Sequence, residues 1–194
     1  MNKLILLPGI LAMAASPAVA QTAWKIDRSH SSVKFTVAHL VIAEVSGRFT
    51  DFDVSMTTQG DDLTGARIEA AVKTASVNTD DEKRDAHLRG DDFLNAEAFP
   101  AIRFRSTAVK KTGKDTYEIT GDLTIRDVTR PVVLATRYAG SVKDPWGNTK
   151  AGYRASATIN RFDYGVKWSS TLDTGGLVVG KDVEITLLLE FAKQ

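Results

Sequence analysis

The chain has 194 residues, with 25 Lys+Arg against 24 Asp+Glu, 3 His and no Cys. So even a charge balance gives no long-range attraction for nucleic acid or an anionic membrane. The absence of Cys excludes disulfides, thiol nucleophiles and thiolate metal sites, so a chain of this length must be held by its core.

Residues 1–20 read as a secretory signal peptide. Lys3 supplies the positive start, Leu4 to Ala15 an apolar run broken by Pro8 and Gly9, and Ala18-Val19-Ala20 a small-residue cleavage site. The apolar run falls short of the roughly 20 residues a membrane span needs, which argues against an integral membrane protein. Residues 21–194 are expected to form a single domain with 24 Lys+Arg (25 minus Lys3) against 24 Asp+Glu.

From Trp24 the hydrophobic period is two, the mark of half-buried strands. Trp24 and Ile26 alternate with Lys25 and Asp27, and Val33, Phe35, Val37 and His39 with Lys34, Thr36 and Ala38. Parity shifts by one residue between Phe49 and the run Phe52, Val54, Met56, which predicts a bulge or kink. A further strand covers Ala66 to Val72. The one helical stretch follows, at roughly 80–89. Thr79-x-x-Glu82 matches a capping box, acidic residues fill the first turn, and Gly90 suits a left-handed stop. So polar a helix cannot stand alone and must lie on something.

After it the alternation resumes in Ile102 to Ala108 and Tyr117 to Ile125, with a turn at Asp127-Val128-Thr129. Strands follow through Val132 to Tyr138, Ala151 to Ile159 and Val183 to Phe191, and Asp144-Pro145-Trp146-Gly147-Asn148 is a turn signal. The fold class expected is therefore all-β with one short helical insertion. So many one-sided strands either stack as a sandwich or close on themselves; a barrel of about eight strands removes the edges and can enclose one small ligand.

The ordered motifs Trp24-Lys25-Ile26-Asp27, His30-Ser31, Gly47-Arg48-Phe49, Arg84-Asp85-Ala86-His87-Leu88, Phe99-Pro100, Gly121-Asp122-Leu123-Thr124-Ile125, Asn160-Arg161-Phe162-Asp163-Tyr164-Gly165 and Val179-Gly180-Lys181-Asp182-Val183 resemble the YceI family of exported polyisoprenoid-binding proteins. The resemblance implies an extended antiparallel lipocalin-like barrel, a periplasmic location and a long-chain isoprenoid or other amphiphilic lipid as ligand. It implies no catalytic centre and no cofactor. Asp127 departs from the family's usual Gly in that turn, and Asp tolerates left-handed geometry better than most residues.

Side chains on the apolar parity are the ligand-binding candidates: Phe35, Val37, Phe52, Phe104, Leu123, Ile125 and Tyr153. Phe93 and Leu94 beside the helix are candidates for a lid. On residue pattern alone a solid core is favoured, because most inward apolar positions are packing, and the resemblance reverses this in favour of the tube. Arg84 and His87 share a helix face and are headgroup candidates, against the plainer reading of a helix pinned to the barrel rim. With His30, His39 and His87 the only histidines, a metal site is not expected. Two other readings stand beside the carrier: an enzyme on a lipid or quinone using His30, Asp85 or His87, and an interaction module for an envelope partner. A homodimer through barrel edges or outer strand faces is compatible with the sequence.

Overall fold

Alternation becomes pairing around a closed ring. The structure, a computed structural model, describes residues 21–60, 62–173 and 175–194, so the leader lies outside the described residues. Its strands are β1 (Gln21–Ile26), β2 (Ser32–His39), β3 (Ala43–Phe49), β4 (Phe52–Gln59), β5 (Arg67–Lys73), β6 (Val77–Asn78), β7 (Ala101–Lys111), β8 (Thr116–Ile125), β9 (Val128–Lys143), β10 (Thr149–Asn160) and β11 (Val179–Lys193). One helix, α1 (Glu82–Arg89), interrupts them.

Three pairs of these strands run on as single kinked staves. β1 continues into β2 through a 3-10 turn at Arg28–His30, and β5 into β6 through another at Thr74–Ser76. β3 continues into β4 across Thr50 and Asp51, where the parity shift predicted a kink. β4 pairs with β1 while β3 pairs with β2, so both halves of that stave have the same neighbour. The result is a closed antiparallel barrel of eight staves. β11 closes it, with Val183 to Leu188 on β2 and Phe191 to Lys193 on β1.

Two glycines let staves approach closely. A Cβ on Gly47 would run into the ring of Phe35, its cross-strand partner. One on Gly121 would meet the ring of Phe104 and lie 2.6 Å from the carbonyl oxygen of Arg105. Both rings lie over bare backbone.

The core falls into two clusters, one toward each end. One gathers Ile26, Phe52, Val54, Met56, Leu63, Tyr117, Ile119, Leu134 and Phe191. The other gathers Leu123, Ile125, Val132, Ile159 and Tyr164.

Local details at the helix differ from the sequence reading. The cap is Asp81, whose carboxylate accepts from Arg84 N at 3.0 Å, not Thr79. Asp80 sits at φ 61, so the helix begins only after the chain has turned. Gly90 has φ −70; the left-handed residue after the helix is Asn95 (φ 46). In the β8–β9 turn the left-handed residue is Arg126 (φ 57) rather than Asp127. His30 lies in the 3-10 turn between β1 and β2.

Candidate functional site: a lidded apolar cavity

Inward side chains of the staves leave a cavity of ≈ 250 Å³ along the barrel. Its wall runs from Met56, Tyr153 and Phe191 at one end to Leu88, Phe93 and Tyr164 at the other. Apolar groups predominate, and the polar or charged contributors are Lys34, Arg103, Thr136, Arg161 and the two tyrosines. Thr136 donates to its own strand, to Leu134 O at 3.2 Å. Burial pushes the phenol of Tyr153 well above the ordinary tyrosine range. A space so lined takes hydrocarbon and offers little to polar ligands.

The wall includes Phe35, Val37, Phe93, Leu94, Phe104, Leu123, Ile125 and Tyr153. Phe52 is the exception. It is 5% exposed, packs in the same cluster as Val54 and Met56, and is not among the lining residues. Parity tells inside from outside, but not lumen from packing.

One end of the cavity is covered by the stretch 79–100, which occupies the gap where β6 parts from β7. Its anchors are polar. Asp85, 4% exposed, accepts from Thr79 N at 2.8 Å and from Thr79 Oγ1 at 2.6 Å. Arg84 donates to Thr79 Oγ1 at 2.8 Å and to Thr79 O at 2.9 Å. Arg89 donates to Ala75 O at 2.9 Å and Val77 O at 3.0 Å. The hydroxyl of Thr79 thus receives Arg84 and serves Asp85, instead of capping the helix.

Arg84 and His87, the headgroup candidates, are not among the cavity's lining residues. Arg84 is spent on Thr79, and His87 lies 3.0 Å from Asp92. The imidazole instead joins a lid contact absent from the sequence reading. It meets Phe93 (centroids 4.9 Å apart) and Trp168 (5.5 Å) edge-on, and Phe93 meets Trp168 at 5.3 Å. Trp168 comes from the β10–β11 connection, so the aromatic trio ties the 79–100 cover to that connection. Arg126 adds to this, donating to Phe93 O at 3.2 Å and Gly165 O at 3.0 Å, with Phe99 beneath its guanidinium. It is therefore not the solvated strand end its position suggests.

Arg161 is the second functional residue that the sequence reading passed over, although it stood in a quoted motif. It is 5% exposed. Its guanidinium donates to four backbone carbonyls: Gly180 O (2.8 Å), Val166 O (2.8 Å), Trp168 O (2.8 Å) and Val179 O (3.0 Å). Burial pulls its pKa down from the ordinary value, yet a guanidinium stays charged. The local sequence places it well: Asn160 caps the turn Arg161–Tyr164, and Gly165 ends it at φ 74.

The residues of the enzyme reading do not converge. Asp85 is sequestered by Thr79, and His87 faces Asp92. His30 stands with Asp27 and Glu190 where β1 meets β11, around the ammonium of Lys150, which is 2.7 Å from Asp27 and 3.3 Å from Glu190. Lys150 already pairs with both carboxylates that would help to hold a metal ion. At the lid end the β2–β3 apex presents Val41 (68% exposed) and Ile42 (88% exposed).

Fold and cavity together define a lipocalin-like barrel with a lidded apolar interior. A family model described as YceI-like domain matches residues 24–191, and the chain belongs to that family. A UPF0312 protein of Azotobacter vinelandii is 39% identical over 141 residues, 73% of either chain. Among solved structures, Burkholderia cenocepacia BcnA superposes with a TM-score of 0.75 at 21% identity, covering 85% of this chain and 98% of that one. A polyisoprenoid binding domain from Saccharophagus degradans superposes at 0.67 with 13% identity, covering 89% and 99%. These two structural likenesses bear on the fold alone. Among the described residues no helix is long and apolar enough to cross a membrane.

Proposed function

We propose that this protein binds and carries an isoprenoid-type lipid, such as a polyprenyl chain or quinone tail, in the barrel lumen. The observation that carries the reading is the apolar cavity of ≈ 250 Å³ beneath a separately anchored cover. Membership of the YceI-like family agrees with it, as does the polyisoprenoid binding named for the Saccharophagus domain. Each buried isoprene unit contributes on the order of 4 kcal/mol before ordering costs, from area alone and without a motif. The mechanism is binding and release rather than bond chemistry. The leader pattern of residues 1–20 ahead of the 21–194 domain supports an exported protein of the periplasm.

Native mass spectrometry of protein purified from its own envelope tests this. A bound mass differing by multiples of the isoprene unit is expected, and the delipidated protein should take up a polyprenol. An Ala155→Trp variant, which fills the lumen from a wall position, should fold and lose that uptake about a hundredfold or more. A purified protein that carries no lipid and takes up none would end the reading.

A further inference from the structure

The wall of the cavity holds one buried cation with no acidic partner. Arg161 is 5% exposed and lines the lumen, and no carboxylate among the described residues makes a salt bridge to it. Its four bonds all go to backbone carbonyls, from the turn after β10 and the start of β11. A guanidinium has five N–H donors. Nε uses its one hydrogen on Gly180, Nη1 uses both on Val166 and Trp168, and Nη2 uses one on Val179. One Nη2–H therefore remains without an acceptor among the described residues. Of the other polar lining residues, Thr136 is bonded within its own strand, and Lys34 and Arg103 are exposed side chains rather than buried ones. The lumen is greasy along its length and positive at the lid end, where Arg161 and Tyr164 share a turn.

We propose that Arg161 is the polar anchor of this cavity, taking a single neutral acceptor oxygen on the lipid head and thereby setting which end of the ligand faces the lid. The proposal rests on the lipid-carrier reading and names the head that such a ligand carries: a quinone carbonyl, or a phenol or prenol hydroxyl. A diphosphate fits poorly. It brings several charged oxygens to one remaining donor, and the four carbonyls already around the guanidinium would repel it. A hydrogen bond to a charged donor in a dry site is strong enough to orient a ligand that hydrocarbon contact alone leaves free to bind either way round.

Three ligands with one tail separate the possibilities: geranylgeraniol, the same hydrocarbon without the hydroxyl, and geranylgeranyl diphosphate. The wild-type protein is expected to bind the prenol about tenfold more tightly than the hydrocarbon, and the diphosphate no better than the prenol. Arg161→Met should erase the preference, its affinities for prenol and hydrocarbon becoming equal within about twofold whatever their absolute level, and Arg161→Lys should restore part of it. If Arg161→Met does not fold, the wild-type side chain decides: its guanidinium NMR signals should move with the prenol and stay put with the hydrocarbon. Equal wild-type affinities for prenol and hydrocarbon, or tightest binding of the diphosphate through Arg161, would overturn the anchor. Failure of all three ligands to bind would instead overturn the lipid reading itself.

Discussion

The two ends of the barrel are shut in different ways. At one end the closure is packing: Ile26, Phe52, Met56 and Phe191 from the staves and Leu63 from the β4–β5 connection gather in one cluster, each no more than 5% exposed. At the other end the closure is an added piece. Helix α1 buries a single side chain, Asp85, and is held by hydrogen bonds that Arg84 and Arg89 donate and Asp85 accepts. Opening the first end would expose apolar area with nothing to replace it. Opening the second parts the small contact of Phe93 with Trp168 and otherwise trades hydrogen bonds for bonds to water, a net of about 1 kcal/mol each. Difference in chemistry makes a difference in mobility, and the lid end is where a lipid would come and go.

Breaking the packed end should have the largest effect. Phe191→Ala leaves a hole in the main cluster, and about 3–5 kcal/mol of global stability should be lost by denaturant titration. A loss below about 1 kcal/mol would mean that this end is not packed as described. Breaking the lid end should be milder and local. Asp85→Ala strands the amide and hydroxyl of Thr79, at about 1–3 kcal/mol. Its signature is faster amide exchange across 79–99 and faster lipid release, with the barrel strands still protected. Equal exchange gains throughout the barrel would refute the separation of the two ends.

Acid sharpens the comparison by acting on neither cluster but on surface pairs. Lys150, then Ser29 and His30, hold the Asp27 carboxyl well below the usual carboxylate range, and Lys111 and Thr64 hold Asp62 at about 2. Both folded values are depressed, so their stabilisation is complete above the unfolded pKa of roughly 4 and fades as pH falls through the folded values. Tm should drop between about pH 4 and pH 2, and Asp27→Asn should flatten that drop. An unchanged acid slope in Asp27→Asn would show that the pair contributes nothing.

Strand parity made most of this fold legible. Trp24 to Met56 announced inward faces and even the kink after Phe49, because a period of two survives whatever the tertiary context. Parity could not tell Phe52, packed, from Val54, which lines the lumen, since both point inward. The helix was legible but its cap was not. Thr79 matched a capping box, yet the left-handed Asp80 turned the chain and Asp85 drew the hydroxyl away. Arg126 and Arg161 were hidden for a plainer reason. An arginine in a sequence reads as solvent-exposed, and only the folded loops bring the carbonyls that bury it. The available hint was the Asn160–Gly165 run, whose capping and left-handed stop hold one side chain in a fixed direction.

The last stave carries a consequence for how the molecule assembles. β11 is the partner of β10 from Asp182 to Ala192, and of β2 and β1 in turn. Until Val183 to Lys193 are in place, three strands have bare hydrogen-bonding edges and the sheet stays open. Closure joins Trp24 to Lys193, a loop of nearly the entire chain, which makes it a late and slow event. A copy cut short in its final ten or so residues would therefore remain an unrolled sheet, ready to pair with its neighbours.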